Sequence, residues 1–241
     1  MQFDNAYDDA RRAEAYAKLE FPGTYYLAYR DLPGIIAGHI RGKAALDFGC
    51  GTGRSTRFLK SLGFDAVGVD IADDMLIQAR VADPEGDYRL VEDGSLGQPE
   101  SEAYDLVLSV FTFDNIPTAE KKVSLFRELG GMLRRSGAIV SVVSAPEIYL
   151  NEWASFSTRD FPENRRARSG DKVRIIITDV DDKRPVEDVV WADDAYRDVY
   201  EQAGLEVVEM RKPLGKPGEP YEWVNETSIA PWVVYVLRRR H

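Results

Sequence analysis

Ala44-Ala45-Leu46-Asp47-Phe48-Gly49-Cys50-Gly51-Thr52-Gly53 is a short apolar run followed by glycine at every second position. Arg54 to Leu62 then shows helical spacing through Phe58, Leu59 and Leu62. The stretch therefore reads as strand, tight turn and helix. Glycine is needed where a chain leaving a buried strand takes positive φ, and where a ligand lies against bare backbone. The helix that follows points its amide groups and positive dipole end into the same space. A nucleotide-like ligand is implied.

Charge narrows the ligand. The dinucleotide fingerprint G-x-G-x-x-G sets a pyrophosphate on the helix start, whereas this loop reads D-x-G-x-G-x-G, with Asp47 two residues before Gly49. An acid at that place repels a diphosphate and attracts a cation. S-adenosylmethionine has no phosphate and carries an ammonium and a sulfonium, so it suits Asp47 better than NAD does.

With these residues in view, the chain resembles the class I S-adenosylmethionine-dependent methyltransferases, a Rossmann-like family. The resemblance is good from Lys43 to Val143 and looser beyond. It extends to Phe64-Asp65-Ala66-Val67-Gly68-Val69-Asp70, a second strand ending in an acid, and to Asp87–Val91, a third strand followed by Glu92-Asp93-Gly94-Ser95. Tyr104 to Phe111 matches the fourth strand. The resemblance implies that Asp70 takes the ribose hydroxyls and Asp93, with Gly94 and Ser95, meets adenine. Ile71 and Met75 would pack on adenine, and Val110 would pass beside the methionine moiety. Asp47, Gly49, Cys50, Gly51 and Gly53 form the loop itself. S-adenosylhomocysteine would be the product, and no metal is called for.

At 241 residues and 44% hydrophobic content the chain suits one α/β domain with a sizeable core. Its formal charge of −10 opposes a broad phosphate-binding surface. A small-molecule acceptor is expected, with no nucleic-acid partner. Cys50 is the one cysteine, which excludes an internal disulfide, and the start lacks an apolar signal region. No run approaches the ~18 apolar residues of a membrane span. A cytoplasmic location without a membrane partner is expected; the sequence leaves the oligomeric state open.

Asp8 to Glu20 reads as a helix stopped by Pro22 and Gly23, and Thr24 as the cap of a second helix ahead of the apolar helix Leu32 to Ile40. These N-terminal helices, within 1–42, would cover the cofactor. Their tyrosines serve either as core or as a pocket wall, with Tyr16, Tyr25 and Tyr26 as candidates for substrate contact. Asp73 and Asp74 open another helix, Thr118 to Arg134 is a crossover helix, and Ala138 to Val143 is a fifth strand buried on both sides. Residues of about 146–191 break the alternation. There, Lys172–Val180 and Val186–Trp191 read as strands of an insertion covering the active site, and Trp153 is a further candidate for substrate contact. Between Arg159 and Arg174 basic residues predominate, either as a solvated face or to attract an acidic substrate group. Ala192–Ala203 is a last helix, and Leu205–Met210 and Pro231–Arg239 close the sheet. Tyr221 and Trp223, between those two strands, are read as another pocket edge. The expected fold is a seven-stranded doubly wound Rossmann-like sheet, mostly parallel with an antiparallel last strand, helices on both faces and a single methyltransferase domain over 1–241.

Methyl transfer from a sulfonium to an oxygen or nitrogen is an in-line displacement, so positioning and exclusion of water carry most of the catalysis. The histidines, His39 and His241, do not sit where a base is needed. Asp114 and Asn115, after the fourth strand, replace the histidines that small-molecule members of the family often have. Asp114 would accept a proton or hold an ammonium, with Asn115 orienting the acceptor; alternatively both only stabilise a turn ahead of Pro117. Three further readings stay open at this point: a dinucleotide oxidoreductase, a non-catalytic binding module, and a nucleic-acid or protein methyltransferase.

Overall fold

The computed structural model describes residues 10–93, 96 and 101–240. Helices α1 (Ala10–Ala17), α2 (Thr24–Arg30) and α3 (Leu32–His39) lead into strand β1 (Ala44–Phe48). The alternation then runs α4 (Arg54–Ser61), β2 (Asp65–Asp70), α5 (Asp73–Ala82), β3 (Asp87–Leu90), β4 (Tyr104–Val110), α6 (Ala119–Met132) and β5 (Leu133–Ser144). After it come short strands β6 (Phe156–Ser157), β7 (Lys172–Ile177) and β8 (Val186–Val189), then α7 (Asp193–Gln202), β9 (Leu205–Arg211) and β10 (Trp232–Arg239).

The main sheet has the order β3-β2-β1-β4-β5-β10-β9. The first five strands are parallel, and β10 runs antiparallel to both β5 and β9. Buried parallel strands need apolar residues on both faces, and β5 supplies them alternately. Ala138, Val140 and Val142 join the core under α2, α3 and α4, while Ile139 and Val143 join the core under α6 and α7. His39 at the end of α3 pairs with Glu209 at 2.6 Å.

Thr24 does not cap α2. Gly23 holds the cap position, and the Thr24 hydroxyl donates to Glu226 at 2.7 Å instead. Glu226, fully buried, also accepts from the amides of Ala154 at 2.7 Å and Val224 at 2.8 Å. One carboxylate thus ties α2, the segment before β6 and the loop before β10 together. That tie needs a buried acceptor with several donors, which neither charge pattern nor periodicity announces.

Strands β6, β7 and β8 form a small antiparallel sheet. Val186 packs with the core of one face, Val189 and Trp191 with the core of the other. Strand β8 therefore crosses the carboxyl edge of the main sheet, where open α/β folds place their ligands.

Candidate active site

The carboxyl ends of β1, β2 and β4 meet at a cavity of about 230 Å³ with largely apolar walls. Strand order reverses between β1 and β4, which is the topological switch point.

One half of the cavity is backbone and a single acid. Gly49 and Gly51 have φ of 73° and 53°. A Cβ on Gly49 would fall 2.2 Å from Thr112 Oγ1, whereas a Cβ on Gly51 would meet nothing within 4 Å. The first glycine is required by packing, and the second leaves bare backbone on the cavity wall. Asp70 accepts from the Gly51 amide at 2.7 Å and the Ala72 amide at 2.9 Å, so the end of β2 is tied to the turn. Burial raises the Asp70 pKa, and these amides pull it back. Cys50, Ile71, Met75, Asp93 and Val110 also border the cavity, and Asp93 is paired with Lys121 at 2.6 Å. Gly94 and Ser95 lie outside the described residues.

Two members of the loop sit behind it. Gly53 backs onto Tyr88, whose hydroxyl oxygen would be 2.6 Å from a Cβ there. Asp47 is fully buried under the loop, its Oδ2 accepting from Ser55 at 2.7 Å and Thr56 at 2.6 Å while Oδ1 has no partner among the described residues. Burial pushes its pKa up to about 6. A carboxylate in the middle of a parallel strand points off the strand into whatever packs on it, here the first turn of α4. Asp47 thus braces that helix start from below and sends its charge through the loop. Arg54, in the same turn and absent from the sequence reading, reaches the cavity with its guanidinium 4.9 Å from the ring centre of Tyr25 and 5.4 Å from that of Tyr29.

The other half is built from side chains. Phe111 takes the left-handed conformation at φ 64°, which few non-glycine residues adopt, and turns the chain from β4 into a 3-10 turn at Thr112–Asn115. The Asp114 carboxylate then accepts from the Ser144 amide, at 3.0 Å to Oδ2, and from the Tyr196 hydroxyl at 3.4 Å. Asn115 donates to the Phe111 carbonyl at 3.3 Å. The turn-stabilising role therefore falls to Asn115, while Asp114 clamps the end of β5; both border the cavity. Asp188, on β8, faces the same space and accepts from the Tyr149 hydroxyl at 3.0 Å. Burial raises the pKa of both acids, and the charge of Asp114 raises that of Asp188 further. Behind the wall, buried Lys122 donates to the Phe113 carbonyl and lies 4.9 Å from the Trp191 ring centre; burial lowers its pKa.

Asp188 and Tyr149 escaped the sequence reading. The available signal was alternation, because in Val186-Glu187-Asp188 the apolar and second acidic residue share a face, so one acid had to turn inward with valine. Lys122 likewise lies four residues before Phe126, on the apolar stripe of α6.

Among the aromatic candidates Tyr16 and Tyr25 border the cavity. Tyr26 does not: Tyr25 and Tyr29 share the inward face of α2, and the next residue round the helix packs outward on Tyr221, ring centres 5.1 Å apart. Trp153 is buried behind the wall, donating to the Ile148 carbonyl at 2.8 Å, because its indole fills the space under the segment that carries Ile148. Tyr221 and Trp223 pack on each other at 5.2 Å away from the cavity, with Tyr221 donating to the Phe21 carbonyl. Of the basic residues between Arg159 and Arg174, Arg159 pairs with Glu152 at 3.7 Å, Lys172 with Glu187 at 2.5 Å, and Arg174 with Glu163.

Residues 46–141, which hold the glycine loop, Asp70 and Asp114, match the family described as "Methyltransferase domain". Over this stretch, 96 of the chain's 241 residues, the chain is similar to methyltransferase domains. It is 28% identical over 95 residues to the ubiquinone biosynthesis O-methyltransferase of Burkholderia vietnamiensis, covering 38% of this chain and 41% of that one. It is 30% identical over 86 residues to the protein of that name from Bordetella avium, covering 34% and 36%. The match thus spans only about two-fifths of the curated relatives' length. In fold the chain is similar to the CcbJ methyltransferase of Streptomyces caelestis, with a TM-score of 0.68 at 18% identity over 99% of this chain and 100% of that one. A S-adenosylmethionine-dependent methyltransferase from Clostridium acetobutylicum gives 0.64 at 11% identity, over 96% and 98%.

S-adenosylmethionine is the cofactor of the methyltransferases this chain is similar to, and two features of the cavity suit it. Gly51 leaves open space at the turn, and the Asp70 carboxylate, an acceptor suited to hydroxyl donors, stands beside it. A pyrophosphate would meet Asp70 and the charge of buried Asp47 at the same place.

Proposed function

We propose that the protein transfers a methyl group from S-adenosylmethionine to an oxygen or nitrogen of a small molecule by in-line displacement. The observation that carries this reading is the Asp70–Gly51 hydrogen bond of 2.7 Å on the wall of a cavity at the switch point. In it, Asp70 accepts from the ribose hydroxyls, Ile71 and Met75 pack on adenine beside Asp93, and Arg54 receives the cofactor's carboxylate. Asp47 favours a cationic ligand through the loop it supports. The bound cofactor supplies an electrophilic methyl group; the residues around it orient the acceptor and keep water out. The insertion over 146–191 covers the acceptor side, where Asp114 accepts a proton or holds a cation and Asn115 fixes the turn that carries it.

The curated relatives are named for O-methyl transfer but are matched over only about two-fifths of their length, which leaves oxygen and nitrogen both open as the accepting atom, whereas the chain's charge of −10 disfavours nucleic acid. Isothermal calorimetry with S-adenosylhomocysteine and with NAD tests the cofactor half. Binding of S-adenosylhomocysteine in the micromolar range and of NAD at least ~100-fold more weakly is expected, a gap of about 3 kcal/mol. Tighter binding of NAD would sink the reading.

A further inference from the structure

Asp114 and Asp188 reach one cavity from different parts of the chain, the turn after β4 and the hairpin of the insertion. Both are deeply buried, at 3% and 9% exposure. Asp114 is held by Ser144 and Tyr196, whereas Asp188 has the Tyr149 hydroxyl as its donor among the described residues. Two carboxylates at such depth are costly unless a cation or proton accompanies them. Lys122 offers part of that charge, but its ammonium is bonded to the Phe113 carbonyl and lies behind the wall under Trp191 and Tyr196. The same cavity is also lined by Ile148, Phe156, Ile177 and Val186.

From this juxtaposition we propose that the acceptor is a small primary or secondary amine with an apolar body, held between Asp114 and Asp188 and methylated on nitrogen. The proposal rests on the reading that the glycine-loop half of the cavity holds the methyl donor. A phenolate or carboxylate acceptor would bring a third negative group beside two buried acids. An alcohol has one proton to donate, where an ammonium can satisfy both carboxylates and cancel charge.

The arriving ammonium gives one proton to Asp188. Its freed lone pair forms the nitrogen–carbon bond to the methyl group as the carbon–sulfur bond breaks, and that bond's electron pair stays on sulfur as a neutral thioether. Nitrogen ends positive and methylated beside Asp114, and Asp188 ends protonated, so the total charge is unchanged. Burial and the neighbouring Asp114 raise the basicity of Asp188 towards that of an amine, which makes the proton exchange easier.

The test uses the full chain saturated with S-adenosylhomocysteine and a matched panel of arylalkylamines, arylalkanols and arylalkanoic acids, titrated by calorimetry. Amines are expected to bind at least ~10-fold more tightly than their alcohols, and the acids not at all. Asp188→Asn is expected to erase the amine preference while keeping S-adenosylhomocysteine affinity within ~3-fold, which also reports that it folds. With S-adenosylmethionine, mass spectrometry is expected to find N-methylated product from the bound amines. Equal or tighter binding of alcohols or acids, no saturable binding of any amine, an unchanged preference in Asp188→Asn, or methylation on oxygen alone would each overturn the amine assignment. Those outcomes leave the cofactor half standing. Failure of S-adenosylhomocysteine itself to bind the wild type would instead overturn the reading of the cofactor half, and the amine assignment with it.

Discussion

The two halves of the cavity are made in opposite ways. The half proposed for the cofactor is one continuous stretch, β1 to the start of α4, with an acid from the neighbouring strand, and much of its wall is backbone. The half proposed for the acceptor takes Asp114, Ser144, Tyr149 and Asp188 from four separate places and depends on side chains. A site made of backbone can keep one ligand while sequences around it change. A site made of side chains can be retuned by a single residue, so specificity belongs there.

The largest effect separating the halves is expected from Asp114→Asn. Turnover on an accepted substrate should fall ~100- to 10,000-fold, as for loss of acid–base or charge assistance, while S-adenosylhomocysteine affinity changes only a few-fold. Asparagine can still accept from the Ser144 amide, so a fold defect is not expected. Turnover within a few-fold of wild type would leave Asp114 a structural clamp.

Asp47→Asn contrasts bracing with binding. Asp47 is fully buried and its pKa is raised to about 6, so between about pH 4 and 6 the folded protein binds a proton that the unfolded chain has lost. Stability therefore falls as pH rises through that window and stays level above it. A rise from the ordinary carboxylate range to about 6 corresponds to a loss of about 3 kcal/mol above the window. Urea unfolding without ligand should show Asp47→Asn more stable than wild type at pH 7 and nearly equal at pH 4. Equal stability at pH 7 would show that the carboxylate is solvated through motions of the loop.

Asp70→Ala sharpens the cofactor side. Losing hydrogen bonds to an ionised acceptor costs ~1.5 to 3 kcal/mol, so S-adenosylhomocysteine affinity should drop about 10- to 100-fold with acceptor binding little affected. Calorimetry with an unchanged Kd in a folded variant would remove the assignment. The smallest effect is expected at Glu187, beside Asp188 but on the exposed face of β8, where it pairs with Lys172. Glu187→Gln should change stability by ~1 kcal/mol or less and amine affinity by under ~3-fold. A large loss of amine affinity there would mean that the field of the hairpin as a whole, rather than Asp188, attracts the acceptor.

The glycine turn and the order of the sheet are legible in the sequence. Glycine spacing, an acid at the end of β2 and the two periodicities are local signals, and a parallel sheet forces their positions to follow. Asp114 was legible for the same reason, since a residue after β4 lies at the carboxyl edge in any such fold. What the local signals could not give is which side of a local element faces which partner. Asp47 was read as a ligand contact, but burial of β1 turned it under α4. The sequence suggests Tyr26 and Trp153 as pocket walls, but the rotation of α2 and the packing of Trp153 under Ile148 turn them away from the cavity. Asp188 met Asp114 across 74 positions of sequence only because β8 crosses the edge of the sheet. A backbone turn carries its geometry in its own residues, whereas a pair of side chains from distant segments acquires it from packing, and packing exists only once the chain has folded.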